Sequence, residues 1–239
     1  MSNEASKDAA HVGGWGCSTI DAGDFSAWLD RFRLSLSGES GNAVDCGDCI
    51  GCCSSSYFIH IAPTDEAAIA EIPSDLCFPA PGLPDGNFLM GYDGKGSCPM
   101  MRDRKCAVYD SRPGTCRKYD CRVFSAAGID AGGAETAVIN DRIRRWRFSY
   151  RSEADRHRHE AIKAAASFLR EHRKDFPGGR CPDNPSQVAL IAIASHEVFL
   201  EPAIRSMKPG EIAVRIMAAS RQGTSVPRST LRDRLAPGM

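Results

Sequence analysis

Apolar residues recur at helical spacing in several stretches of the chain, and each of these stretches predicts a helix. In the first, over 25–36, apolar side chains fall near one face, and Asp24 stands where it can cap the first turn. A weaker apolar stripe predicts a short helix over 65–72. The second half of the chain predicts helices over 153–175, 187–202 and 210–220, and a segment at 138–150 that could be a strand or a helix.

Helical periodicity is weak between residues 44 and 124. This segment is rich in proline and cysteine, and its one apolar run outside the short helix, 57–61, could be a strand. Both ends of the chain are polar and show little periodicity. We therefore expect a single domain over 21–220, between a flexible N-terminal lead (1–20) and a disordered tail (221–239).

The composition argues against several classes of partner. Lys plus Arg and Asp plus Glu each number 30, so no overall field draws the protein to nucleic acid or to an anionic membrane. The longest clean apolar stretch, 188–194, is far shorter than the roughly 20 residues that cross a bilayer, and no secretory signal is visible. We expect a cytoplasmic protein with no nucleic-acid or membrane partner.

In the reducing cytoplasm, clustered thiols among the 11 cysteines would bind metal or do redox chemistry.

The first cysteine block, Cys46-Gly-Asp-Cys49-Ile-Gly-Cys52-Cys53, has the pattern CxxCxxCC. Thiols spaced three residues apart along a tight turn converge on one point, and the two glycines let backbone amides approach the sulfur atoms. Side chains of adjacent cysteines tend to diverge, so Cys52 and Cys53 suit a multinuclear cluster or two neighbouring centres better than one tetrahedral zinc. The alternative is a turn of buried thiols without metal.

The second cysteine block supplies four more thiols over residues 98–121. Residues 98–122 also contain seven cationic and three acidic side chains, and these cations could offset the negative charge of a thiolate metal centre. The same cations could instead form a solvated basic surface. We predict that the metal ligands are the cysteines of the two blocks: Cys46, Cys49, Cys52, Cys53, Cys98, Cys106, Cys116 and Cys121.

These patterns together predict a mainly α fold with an irregular, metal-stabilised cysteine-rich region and few short strands. Within the domain, residues 44–124 would form the metal-binding core and residues 138–220 its helical support.

Other residues that could carry chemistry have simpler interpretations. Cys17, Cys77 and Cys181 stand alone in the sequence, and we expect each to be a buried or tolerated thiol. His60 could be a ligand, but with eight thiols available we expect it to be a strand residue. The arginines around Trp146 could face the outer shell of the cluster or a phosphate, or could form a salt-bridged surface.

The region from Cys46 to Cys121 resembles the CxxCxxCC or YkgJ-like family of cysteine-cluster proteins, described as zinc- or iron-chelating. The resemblance rests on the CxxCxxCC run, on Cys98-Pro99, on Cys121, and on the segment from Cys106 through Tyr109 and Arg112-Pro113 to Cys116-Arg117. That segment is similar to the family signature C-x-I/V-Y-x-x-R-P-x-x-C-R. The resemblance implies a metal centre and assigns no reaction.

We therefore predict a metal-binding protein that carries an iron–sulfur cluster and has an electron-transfer or redox role, with an unknown protein or redox partner. One alternative is a zinc-stabilised interaction module. Another is a protein methylase-like enzyme, because a related cysteine arrangement occurs in flagellin lysine methylases, although the chain has no convincing Gly-rich nucleotide loop. No catalytic residue and no organic cofactor site can be identified from the sequence, which leaves open whether the protein is an enzyme.

Overall fold

The computed structural model of the protein describes residues 18–37, 44, 46–47, 49–179 and 181–223. Most of the predicted lead, most of the predicted tail, and Cys17 lie outside these residues. No helix within the described ranges is long and apolar enough to span a bilayer.

Helices account for most of the regular structure, and the strands are short. The helices are α1 (Phe25–Ser37), α2 (Glu66–Glu71), α3 (Gly114–Lys118), α4 (Arg122–Ala127), α5 (Ala137–Arg145), α6 (Glu153–Glu171), α7 (Pro185–Ser195) and α8 (Pro209–Gly223). The strands are β1 (Ile20–Asp24), β2 (Ile59–Ile61), β3 (Cys77–Pro79), β4 (Phe88–Met90), β5 (Met101–Arg102), β6 (Lys105–Cys106) and β7 (Trp146–Ser149).

The larger of two hydrophobic cores is built by α1 and α4 to α8. Phe25 and Trp28 of α1 are fully buried in it, and the Phe25 ring stacks on His159 of α6. The long helix α6 begins with a capping box, in which the Ser152 side chain accepts from the Asp155 amide and the Asp155 carboxylate accepts from the Ser152 amide. This helical core supports one side of the cysteine-rich region, since Cys52 and Cys121 pack against it.

The N-terminal strand joins the second half of the chain directly. β1 pairs in parallel with β7, which places α1 beside the segment that follows α5. Asp24 accepts a hydrogen bond from the Ala27 amide at 2.9 Å, so it caps α1 as the sequence predicts.

A smaller core lies under a three-stranded antiparallel sheet of order β2-β4-β3. Its buried apolar residues come from 61–108, and Cys98 and Cys106 pack against it from the side that faces the other cysteines. The hairpin β5–β6, which brings Cys106 opposite Met101, is adjacent to this core. The cysteine-rich region therefore lies between the two cores.

The predicted fold class is confirmed, with mainly helical structure and few short strands around an irregular cysteine-rich region. The segment 138–150, which could have been a strand or a helix, is both: α5 ends at Arg145 and β7 starts at Trp146. The helix predicted over 187–202 is interrupted, because α7 ends at Ser195 and continues as a tighter 3₁₀ segment over His196–Leu200.

Candidate metal centre

The eight predicted cysteines lie together, in two groups of four. Group I consists of Cys46, Cys49, Cys52 and Cys121, which line one pocket together with Tyr119, Ile139, Arg142 and Trp146. Three members of this group come from the first cysteine block, and Cys121 comes from the start of α4. Cys121, which is distant in sequence, is thus the fourth member of a set whose other three cysteines form the CxxCxxC pattern.

Group II consists of Cys53, Cys98, Cys106 and Cys116. The thiols of Cys53, Cys98 and Cys106 all lie close enough to that of Cys116 for their charges to raise its pKa. The amide of Cys98 donates a hydrogen bond of 2.7 Å to the carbonyl oxygen of Cys53, which fixes the start of the second block beside the end of the first. The hairpin β5–β6 then presents Cys106, and α3 presents Cys116.

The two groups meet at the adjacent residues Cys52 and Cys53. These begin a short 3₁₀ turn, Cys52–Ser54, and their Sγ atoms are 4.0 Å apart. In sequence the groups are nested, because all of group II falls between the third and fourth members of group I. The sequence left open a multinuclear cluster or two neighbouring centres for this adjacent pair, and the pair stands where the two groups meet.

The thiols are gathered without closing on a single point. In the part of the chain that the structure describes, no three His, Cys, Asp or Glu side chains form a group that could hold a metal ion as they lie. The side chains within a group would therefore have to turn towards each other in order to share a metal.

Several sulfur atoms accept hydrogen bonds from N–H groups. The Gly51 amide donates to Cys49 Sγ at 3.4 Å, and the amides of Met100 and Val108 donate to the thiols of Cys98 and Cys106. In each case the donor lies two residues after the cysteine. Amide donors of this kind stabilise a thiolate more than a thiol, and they tune metal–thiolate centres.

Burial keeps most of these thiols protonated when no metal is bound. It raises the pKa of Cys98 to about 11, and the pKa values of Cys116 and Cys121 to about 12. Cys53 differs, because a hydrogen bond from the Cys52 thiol lowers its pKa to about 7. Metal ligation by the buried thiols would therefore release protons.

Two arginines place positive charge near the sulfur atoms. Burial raises the pKa values of Cys46, Cys106 and Cys116, and the charge of Arg112 opposes this rise at all three, as that of Arg142 does at Cys46. Arg112 also adds, after the hydrogen bond from Cys52, to the lowering of the pKa of Cys53. Positive charge that could offset thiolate charge therefore comes from Arg112, in the cationic segment 98–122, and from Arg142 of α5.

Other cations of the second block hold the structure together. Arg122 forms a buried ion pair with Asp120 at 2.8 Å, and the Trp28 indole donates to the same carboxylate at 2.9 Å. This contact ties the residue before Cys121 to α1. Arg117 contacts the buried Asp65, whose carboxylate also accepts from the Gly114 amide at the start of α3.

Sequence reasoning did not identify these supporting residues. Asp65 is far in sequence from Gly114 and Arg117, and Asp120 is far from Trp28, so no local spacing indicates these contacts. One signal was available for Asp120, because an acidic residue directly before a cysteine in a basic segment is a candidate for a buried partner.

Gly51 has a packing role besides its amide. A Cβ at this position would lie 3.0 Å from Ile139 Cα, so the turn that carries Cys52 and Cys53 contacts the backbone of α5 closely. The first cysteine block is thereby fixed against the helical core.

The remaining candidates lie apart from the two groups. His60 Nε2 is 2.9 Å from Asn87 Oδ1. Cys77 packs beside the smaller core in β3, and Cys181 donates to the Leu169 carbonyl oxygen at 3.1 Å. Among the arginines around Trp146, Arg144 pairs with Asp130, whereas Arg142 lines the group I pocket.

The donor set fits the metals that the sequence predicts. Zinc and iron–sulfur clusters both take four cysteine thiolates per centre, and both are tuned by N–H···S bonds and nearby cations. Each group supplies four thiols, and cations lie near both.

Comparison with known proteins agrees with this chemistry. Residues 45–141 match the family model CxxCxxCC, described as "putative zinc- or iron-chelating domain". No curated protein and no solved structure shows significant similarity to the chain. The matched range contains all eight cysteines of the two groups as well as α5 as far as Asp141. Residues 45–141 are therefore similar to the CxxCxxCC family of zinc- or iron-chelating domains, as the two cysteine blocks predicted.

Proposed function

We propose that the protein holds two metal centres, one on each group of four cysteines, and that these are iron–sulfur centres with an electron-transfer or redox role. The observation that carries the proposal is the division of the eight thiols into two complete sets that meet at Cys52 and Cys53. Four thiolates per set is the ligand number of an iron–sulfur cluster.

The surroundings of the sulfur atoms support an anionic centre. Amide N–H donors at Cys49, Cys98 and Cys106, together with the cations of Arg112 and Arg142, would stabilise negative charge in a region that hydrophobic cores partly shield from water. When bound, an iron–sulfur cluster would supply a site that accepts and gives up single electrons. The protein's own residues would hold the cluster and set how readily it is reduced.

A redox role also accounts for the close approach of the two groups. The adjacent thiols of Cys52 and Cys53 are 4.0 Å apart, so two centres ligated by them would be close enough to exchange electrons. The partner would be a redox protein or an acceptor of electrons, in a compartment where thiols stay reduced, as the cytoplasm provides.

Structural zinc is the second candidate, and one observation favours it. Cys52 and Cys121 contact the larger core, whereas Cys98 and Cys106 contact the smaller one. Metal ions at this boundary would join two cores that are otherwise separate, which is a common task for zinc on four cysteines. The protein would then act as a metal-stabilised interaction module.

The two candidates differ in metal content. The full-length protein is purified without oxygen, and iron, acid-labile sulfide and zinc are counted per chain. Iron with sulfide and a brown colour is expected, whereas a colourless protein with zinc would replace the first candidate by the second. A chain that retains neither metal would refute both.

Single substitutions test the division into two groups. Cys121→Ser is expected to remove the metal of group I and to leave that of group II, and Cys116→Ser the reverse. Cys181→Ser is the matched control, because this thiol lies outside both groups and should leave the metal content unchanged. Loss of all metal in both ligand variants would indicate one shared centre.

A further inference from the structure

In the group I pocket a side-chain N–H donates a hydrogen bond to a sulfur atom, and a substitution can remove this donor. Trp146 lies outside both cysteine blocks, where α5 ends and β7 begins, and its indole Nε1 is 3.3 Å from Cys121 Sγ. The other N–H donors to sulfur described above are backbone amides. Trp146 is 6% exposed, so the contact is sheltered from water and is correspondingly stronger.

A cation acts on the same indole. The Arg142 guanidinium carbon is 4.7 Å from the centre of the Trp146 ring, within the range of a cation–π contact. Arg142 also lines the pocket that group I encloses. One turn of α5 therefore supplies a positive charge to the pocket and holds in place the ring that contacts the sulfur.

The chain geometry fixes this arrangement from two sides. β7 pairs with β1, and Ile20 lies opposite Trp146 in the register. Cys121 is held separately by the neighbouring Asp120, which is bound to Arg122 and Trp28. The backbone segments that carry the indole and the thiol are thus placed by independent contacts, and the hydrogen bond from the indole then orients the Cys121 side chain.

We propose that Trp146 is a positioning residue of the group I centre, whose indole N–H orients Cys121 and stabilises its thiolate, with Arg142 holding the ring. This inference rests on the proposed metal centre and holds for either metal. It predicts that the two centres differ, because the indole donor serves group I and not group II. Loss of an outer-shell hydrogen bond to a metal ligand typically weakens metal binding about 10- to 100-fold.

The test measures metal release from the full-length protein loaded with zinc. A strong chelator is added in excess, and the release of each equivalent is followed by the colour of the chelator complex. The Cys121→Ser variant, which lacks the group I centre, identifies the kinetic phase that belongs to each group. Trp146→Phe keeps the aromatic ring and deletes the N–H, and it is expected to speed the group I phase by about 10-fold and to leave the group II phase unchanged.

Tyr150→Phe is the matched control. It also keeps an aromatic ring and deletes a hydrogen-bonding group that packs against the larger core, but that hydroxyl contacts His159 Nδ1 and not a sulfur atom. If both variants speed release equally, the effect is one of general stability and the proposal is overturned. Unchanged release in Trp146→Phe would overturn it as well.

Arg142 gives a graded second measurement. Arg142→Gln is expected to speed the group I phase by less than Trp146→Phe does, and Arg142→Lys, which retains the charge, should restore part of the loss. In protein loaded with a spin-active cadmium isotope, a scalar coupling between the Trp146 indole proton and the metal would report the hydrogen bond through Cys121 directly. Failure of the wild-type protein to take up zinc or cadmium would refute the two-centre proposal itself, which separates that failure from a negative result for Trp146.

Discussion

The adjacent cysteines show how single residues define this site. Cys52 belongs to a set that faces the helical core, and Cys53 belongs to a set that faces the smaller sheet-bearing core. The turn that separates their side chains starts at Gly51, which has room for no side chain beside Ile139. Gly51 has no side chain that could bind metal, but its position therefore sets the directions in which the side chains of Cys52 and Cys53 point.

A methyl group at position 51 tests this role. In Gly51→Ala the added Cβ would lie 3.0 Å from the Ile139 backbone, so the turn or α5 has to shift. We expect the free energy of unfolding of the metal-free protein to fall by about 1–3 kcal/mol, the usual range for overpacking. Urea denaturation followed by circular dichroism measures this change.

Gly94→Ala provides the comparison, because a Cβ there meets no atom within 4 Å. Its unfolding midpoint should stay close to that of the wild type. Equal stability of the two variants would show that the close contact at Gly51 is not a constraint.

Sequence alone predicted all eight cysteines that the structure brings together, but not their division. Spacing indicates which thiols converge locally, as for Cys46, Cys49 and Cys52, but Cys121 joins them through contacts with distant residues. The hydrogen bonds from Trp146 to Cys121 and from Trp28 to Asp120 also join residues that are remote in sequence. Local patterns carry no information about such pairs.

At the scale of elements, the polar sequence of α6 predicts more solvent exposure than the structure shows. Residues 156–160 read Arg-His-Arg-His-Glu, which indicates a solvated surface. His159 is nevertheless buried, because it stacks on Phe25 at 4.6 Å between ring centres and its Nδ1 lies 2.6 Å from the Tyr150 hydroxyl. The helix thus uses one histidine as part of the aromatic core.

This burial makes the stability of the protein depend on pH. Desolvation, with a smaller effect of the Lys163 charge, lowers the pKa of His159 from 6.5 to about 4. The unfolded chain therefore binds a proton more readily than the folded one. Stability should fall as the pH drops from 6.5 to 4, by up to roughly 3 kcal/mol.

Urea denaturation of the metal-free protein at several pH values between 7 and 4 measures the slope. His159→Gln should flatten this part of the profile, whereas His157→Gln should not, because His157 is exposed on the same helix. If the two variants keep the same slope as the wild type, His159 is not the group responsible.

The segment 138–150 shows why some elements could not be assigned from sequence. Its apolar residues suit either periodicity, and arginines fill most of the remaining positions. Pairing of Trp146 with Ile20 of β1 gives the second half its strand conformation. Such a parallel pairing between distant segments leaves no mark in the local sequence.

At the scale of the whole molecule, two cores of unequal size meet at the cysteines. In the described chain, the smaller core contains six buried apolar residues, and the larger contains 24. A core of only six buried apolar residues contributes little stability by itself. Metal bound at the boundary would therefore stabilise the smaller part most.

Hydrogen exchange on the metal-loaded and metal-free protein tests this difference. On removal of metal by a chelator, the amides of β2, β4 and the β5–β6 hairpin should lose protection, while those of α6 and α7 should keep most of theirs. Uniform loss of protection would mean that the two cores fold as one unit, and unchanged protection would mean that metal has no structural role.

The nested order of the two groups bears on how the protein is made. As the chain leaves the ribosome, the three cysteines at 46, 49 and 52 emerge first, and the four thiols of group II all emerge before Cys121 does. If each group holds a metal as proposed, group II would be able to capture its metal while group I still lacks a ligand. The incomplete trio would meanwhile be open to exchange with cellular metal carriers, and Cys121 would be the residue that ends loading.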